Sequence, residues 1–375
     1  MIRLQREVKM RLDPINLYDY EERARLVLPH DDWDTIDAGA MDMFTTRRNR
    51  TAFEELTLRP RFLRDIGERD LSTTMLGNEL SMPVFVCPAG SHHRAHPEGE
   101  VATARGASMS NTLMMLSTGS NCSMEEVAEE ATSPLFFQLY HRGYDLTEML
   151  VRRAEEAGFK AITLTVDTPT PSPKERDLRN RYNRNFEQGN FRGVNQPENV
   201  LRGTDESVGW NVNRTVPLTW HELEWLRGLT GLPLVLKGIR TAEDAHIAAE
   251  SGVDGVLVST HGGRQLDMTM GAIEMVPEVV DAVKGNCEVY VDSGVRRGSD
   301  VVKALALGAK AVGIGRPLFW GLAVNGAEGV HGVLELLREE IDRAMAYCGQ
   351  TSVKDMETNL VNIPQGWGAP QQPDF

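Results

Sequence analysis

Eight short runs of apolar and β-branched residues punctuate the chain without alternating with polar ones. They are PVFVCP (83–88), LMMLST (113–118), LFFQLY (135–140), AITLTVD (161–167), LPLVLKG (232–238), DGVLVST (254–260), EVYVDSG (288–294) and AVGIGRP (311–317). A half-exposed strand alternates apolar with polar, so unbroken runs of this length predict strands buried on both faces. Between them the period changes. DLTEMLVRRAEEAG (145–158), TAEDAHIAAESG (241–252) and GSDVVKALALGA (298–309) carry apolar residues at helical spacing and close on or near glycine. Eight strand-then-helix units predict an α/β fold, a (β/α)8 TIM barrel. A doubly wound sheet normally stops at about five or six strands and leaves the remainder to another domain.

Two pieces fall outside the eight units. Residues 1–80 precede the first run; NLYDYEERARLVL and WDTIDAGAMDMFTTRRNRTAFEEL predict an N-terminal helical cap, followed by a short β segment, LTLRPRFL. The second is a polar insertion after strand 4, about 178–218, rich in Asn, Arg, Gly and Glu. A polar loop of this length is either disordered or a lid over the site. The expected organisation is one structural domain, a cap over 1–80 on a barrel over 81–375.

Composition changes this picture mainly by exclusion. With 375 residues, 41% hydrophobic, 25% charged and a net charge of −14, the chain reads as soluble and able to bury a large core. The acidic balance argues against a nucleic-acid partner, which requires a basic footprint. Cys87, Cys122, Cys287 and Cys348 are scattered without a CxxC pair, as expected of reduced thiols. The start MIRLQREVKMRLDP lacks the apolar core of a signal peptide, and no run reaches membrane-spanning length. A cytoplasmic protein without a membrane partner is expected. His92, His93 and His96 complete no plausible ligand set, so no metal is expected.

A barrel brings functional side chains to the C-terminal ends of its strands. On strands three to six those ends read Gln138 and Tyr140, Thr165 and Asp167, Lys237, then Ser259 with His261 and Arg264. An acid, a base, a lysine, a tyrosine and an arginine at one rim form a candidate reactive cluster. After strands seven and eight, DSGVRRGSD and GIGRPLFWG set glycines beside arginines, where barrels of this kind commonly bind phosphate. A phosphorylated cofactor or substrate is implied.

The ordered motifs LTVDTP, HGGRQLD, DSGVRRGSDVVKALALGA and IGRP closely resemble the FMN-dependent 2-hydroxy-acid oxidase and dehydrogenase family, which includes glycolate oxidase, mandelate dehydrogenase and lactate monooxygenase. The likeness runs from the cap through AHPEGE to the final long helix. It implies FMN as cofactor and oxidation of a small 2-hydroxy acid to the 2-oxo acid, with oxygen or another electron acceptor and a homo-oligomer, a tetramer or octamer. His261 matches the base that takes a proton from the substrate, from carbon or from oxygen. Asp167 matches the acid that orients it, Arg264 the carboxylate clamp, Tyr140 the hydrogen-bond donor to the substrate hydroxyl or the transition state, and Lys237 the cation beside the flavin N1 and O2 edge. Ala89, Gly90, Ser117, Gln138, Thr165 and Ser259 match positions around the flavin ring and ribityl chain; Asp292, Gly294, Arg296, Gly315 and Arg316 match the ribityl and phosphate site.

Three substrate-side positions depart from the family pattern. Thr35 stands where many members have a tyrosine, Gly119 where glycolate oxidase has a tryptophan, and Lys174 where a second arginine is usual. Gly119 leaves room for a larger or aromatic side group, as in mandelate dehydrogenase and lactate monooxygenase, while the other two changes leave Arg264 as the main clamp. A flavin oxidase of an amine or a modified peptide, a non-redox phosphate-binding isomerase, and a flavin-binding relative without catalysis are the alternatives.

Overall fold

The computed structural model describes residues 13–170, 172–182, 187–194, 218–365 and 367. Eight parallel strands close into a barrel: β1 (Val84–Val86), β2 (Met114–Ser117), β3 (Leu135–Leu139), β4 (Ile162–Thr165), β5 (Leu234–Ile239), β6 (Gly255–Val258), β7 (Glu288–Val291) and β8 (Ala311–Ile314). Each falls on one of the eight apolar runs. Every strand is shorter than its run, because the run ends turn outward as rim loops, and β5 alone extends past its run, through Ile239.

Two cores explain the missing alternation. Phe85, Met115, Phe136, Val235, Leu257 and Tyr290 point inward and fill the barrel, joined by Met75 and Leu80. Their strand neighbours, such as Val84, Leu116, Phe137, Leu164, Val256 and Val312, face outward into the layer between strands and helices. A residue on either face is therefore buried, and the pattern along the strand is continuous.

The cap comprises α1 (Leu17–Val27), α2 (His30–Asp37) and α3 (Phe44–Glu55). Its Leu17, Tyr20, Trp33 and Phe53 belong to the outer core, so cap and barrel share one apolar layer. Asn16 caps α1, its side chain accepting from the Tyr18 and Asp19 N–H groups. The barrel helices follow: α4 (Gly99–Met109), α5 (Met124–Glu130), α6 (Tyr144–Glu156), α7 (Glu175–Arg179), α8 (Trp220–Leu229), α9 (Ala242–Glu250), α10 (Ala272–Val283), α11 (Gly298–Ala306) and α12 (Arg316–Cys348). The backbone of α12 breaks from helical geometry at Asn325 and Gly326. Among the described residues no helix is long and apolar enough to cross a membrane.

The expected β segment LTLRPRFL is corrected. Thr57–Leu58 pairs with Val361–Asn362, the Arg59 N–H still donates to the Leu360 carbonyl at 2.8 Å, and the pairing ends before Pro60. A hairpin of Thr73–Met75 and Asn78–Leu80 contributes Met75 and Leu80 to the barrel interior. Most of the expected lid, 183–186 and 195–217, lies outside the described residues.

Candidate active site

The loop after β6 builds the centre of the site. His261, Gly262 and Gly263 take φ values of 56, 67 and 75°, three left-handed residues in succession. A Cβ at Gly263 would lie 2.5 Å from the Thr46 backbone nitrogen, so the absence of side chain lets α3 press against this loop. His261 is itself no glycine, and its conformation stores about 1 kcal/mol or more, held by the packed turn. The Ser259 hydroxyl accepts the His261 N–H at 3.0 Å and fixes where the ring departs.

His261 Nδ1 lies 3.1 Å from Asp167 Oδ1 at the end of β4. An ionised Asp167 accepts Nδ1–H, leaving the Nε2 lone pair toward the Tyr140 hydroxyl, 3.5 Å away. Burial would raise the Asp167 carboxyl, but the charges of His261 and Lys237 outweigh it and hold the group at about 2. Burial, and next the Lys237 charge, push the His261 imidazole below its ordinary 6.5 against the pull of Asp167. The pair at neutral pH is thus a carboxylate and a neutral imidazole, the form a base requires. Burial raises the Tyr140 hydroxyl above 10, so it keeps its proton and can donate.

Lys237, buried at the end of β5, donates to Ser259 Oγ at 3.0 Å and lies 3.8 Å from Asp292 Oδ2. Burial opposes its charge, but Asp292 and Asp167 more than compensate, and its pKa is raised. Gln138 links the ends of β2 and β4: its Oε1 accepts from Ser117 Oγ at 3.0 Å and its Nε2 donates to Thr165 Oγ1 at 2.8 Å. Five expected residues, His261, Asp167, Tyr140, Lys237 and Ser259, are thereby brought together.

The arginines at the site also hold the cap. Arg264 Nη1 donates to the carbonyls of Thr35 and Ala38 at 2.8 and 2.6 Å, so the expected carboxylate clamp also anchors the cap. Arg316 donates to the carbonyls of Ile36, Ala38 and Gly262 at 3.2, 3.1 and 3.0 Å, which satisfy a half-buried cation. Thr35 directs its hydroxyl to Asp177 Oδ1 at 2.7 Å, tying α2 to α7. Gly294 packs on the Asn49 backbone and is demanded by the cap. Lys174 is buried, donates to the Ser172 carbonyl, and its charge reaches His261.

The residues fit FMN on two counts. Burial and the charges of Arg264 and Arg296 depress Arg316 to about 9, although Asp37 and Glu21 lie within reach. Arginine keeps its proton in proteins, so this depression expresses a demand for an anion such as a phosphate. Among the described residues a Cβ at Gly315 would meet no heavy atom within 4 Å, which leaves open space at the start of α12. Arg296 lies over the Trp320 ring, 4.6 Å from its centroid.

Two buried residues were not anticipated. Glu100 accepts the backbone N–H groups of His92, Asn121 and Cys122, joining the loops after β1 and β2. Asn190 donates to the carbonyls of Ser117 and Thr118 and to Ser120 Oγ, and accepts from the Met124 N–H. Glu100 closes the AHPEGE stretch without a role assigned to it, and the only sequence signal for Asn190 was its polarity in a loop, where polar residues are common.

A base and a crowd of cations on one barrel rim define an enzyme that handles a small acid beside a phosphorylated cofactor. Known proteins narrow that class. The family model for FMN-dependent dehydrogenase matches residues 24–363. The chain is 45% identical over 353 residues to peroxisomal (S)-2-hydroxy-acid oxidase GLO4 of Oryza sativa subsp. japonica, covering 93% of this chain and 96% of that one. It is 43% identical over 360 residues to glycolate oxidase 3 of Arabidopsis thaliana, covering 95% and 97%. The solved structure of mandelate oxidase with (S)-2-phenylpropionate superposes with a TM-score of 0.85 at 39% identity, over 96% of this chain and 100% of that one. The chain belongs to the FMN-dependent dehydrogenase family; it is an oxidoreductase whose cofactor is FMN.

Proposed function

We propose that the protein oxidises a 2-hydroxy acid to the 2-oxo acid, and that the acid carries a side group larger than that of glycolate. The observation that carries the reaction is the His261–Asp167 pair at 3.1 Å, with the protonated Tyr140 hydroxyl 3.5 Å from the other ring nitrogen. FMN, when bound, supplies the two-electron acceptor. Tyr140 donates a hydrogen bond to the substrate hydroxyl. His261 takes the substrate proton at Nε2, and Asp167 stabilises the imidazolium that results. Lys237, charged and buried, stabilises negative charge developing on the cofactor side. Arg264 and Lys174 receive the carboxylate.

Gly119 supports the larger side group. Among the described residues a Cβ there would meet only Ser117 Oγ, at 3.8 Å, so the position itself is uncrowded. Oxygen as electron acceptor, a tetrameric or octameric assembly and a cytoplasmic location belong to the same proposal; oxygen uptake, size-exclusion chromatography and fractionation test them. The reaction is tested anaerobically by following the visible flavin band while 2-hydroxy acids are added. Bleaching is expected. His261→Ala should retain the flavin and lose about 10²- to 10⁴-fold in turnover. Near-normal turnover of that variant would remove His261 as base.

A further inference from the structure

Arg142 is a partly buried cation for which the described residues supply no anion. It stands two residues after Tyr140 on the loop leaving β3, and its guanidinium carbon lies 5.7 Å from the centroid of the Tyr140 ring. Among the described residues its buried Nε has no hydrogen-bond partner. Several other partly buried arginines are treated differently. Arg48, Arg50, Arg69, Arg153, Arg297 and Arg338 each face a carboxylate. Arg94, at the end of the loop after β1, lies over Tyr182, which donates to Asp32.

An unpaired guanidinium loses hydration without recovering it, a cost that a folded chain sustains where a ligand brings the missing charge. Arg142 is well placed for that role. Its charge reaches the Tyr140 hydroxyl, the group assigned above to the substrate hydroxyl. Beside it the loop after β2 is open: the Tyr140 N–H donates to Thr118 Oγ1 at 3.0 Å, and the next residue is Gly119, whose missing side chain leaves space. Arg264 and Lys174 occupy the pocket side formed by the loops after β6 and β4. The two sets of cations thus stand on different loops around Tyr140 and His261.

We propose that Arg142 binds a second carboxylate, carried on the substrate's side group, and that the preferred substrates are 2-hydroxy dicarboxylates. A planar guanidinium matches a carboxylate through two parallel N–H···O bonds, and a pair screened by the tyrosine ring is stronger than an exposed one. This assignment rests on the 2-hydroxy-acid reaction proposed above.

The test uses the FMN-loaded enzyme and paired acids of equal chain length: malate against 2-hydroxybutyrate, and 2-hydroxyglutarate against 2-hydroxypentanoate. Flavin reduction is followed anaerobically at varied acid concentration. At least one dicarboxylate should be preferred by about 10- to 100-fold in the rate constant at low concentration, mostly through tighter binding. In Arg142→Met the ratio of diacid to monoacid should collapse to about one, and in Arg142→Lys much of it should return. Because the ratio is taken within each variant, a general loss of activity does not mimic the result. Bleaching by monoacids without preference for either diacid, or a preference that survives Arg142→Met, overturns the assignment while leaving the oxidation itself in place. A flavin band that no acid of either kind bleaches overturns both.

Discussion

At the scale of single residues, the site works by keeping one histidine neutral. Burial contributes most to lowering the His261 imidazole, the Lys237 charge next, and Lys174 least among the resolved influences, while Asp167 pulls the other way. The acid limb of kcat/KM, which reports deprotonation of the free enzyme's base, should therefore have its midpoint below 6.5. Activity is lost as pH falls through that midpoint and is level above it until another group titrates. Removing the Lys174 ammonium removes a charge that disfavours imidazolium, so Lys174→Gln should move the limb upward toward 6.5. A pH profile of that variant with an unmoved limb would take Lys174 out of the field acting on the base. Gly119 acts through volume. Gly119→Phe should lower kcat/KM for acids with large side groups by about tenfold or more relative to glycolate, because it fills a position where, among the described residues, a Cβ would meet only Ser117 Oγ at 3.8 Å. Equal losses for large and small acids would show that the side group lies elsewhere.

At the scale of elements, what could be read in advance depends on whether a signal is local. The eight strands were legible because burial on both faces imposes a continuous apolar run, visible without knowing what packs against it. Asp167, Lys237 and His261 were legible because polar residues at the ends of such runs must emerge at the rim. Asn190 was not. It lies 73 positions from Ser117, whose carbonyl it binds, and only the folded chain brings them together. The Arg264 and Arg316 contacts to the cap were hidden for the same reason, since backbone carbonyls leave no mark on sequence. Asn190 nonetheless positions the β2 loop that carries Gly119. Asn190→Ala leaves the buried Met124 N–H without its acceptor and should cost about 1–3 kcal/mol in stability. A chemical denaturation series would measure it, with wild-type stability removing the anchoring role.

At the scale of the whole molecule, cap and barrel meet at a cluster of positive charge. Arg264 and Arg316 both hold carbonyls of residues 35–38, and Arg50 pairs with Asp300 at 2.5 Å, so the cap is fastened to the barrel through arginines. Arg316 is depressed to about 9 by burial first and then by Arg264 and Arg296. Like charges crowded in a buried place are a cost to the protein without its cofactor, and an anion binding among them removes part of that cost. The cofactor should therefore stabilise cap and barrel together. Inorganic phosphate, which shares only the anionic end of FMN, should raise the melting temperature of the flavin-free protein above its value in chloride at equal ionic strength. Stabilisation grows as RT ln(1 + [L]/Kd), about 2.7 kcal/mol at a hundredfold excess over Kd. Arg316→Met removes one of the crowded charges together with a phosphate donor, so the shift should shrink and flavin should be held more weakly. A phosphate-dependent shift of undiminished size in Arg316→Met would place the anion elsewhere, and Arg316 would then be a fastener of the cap alone.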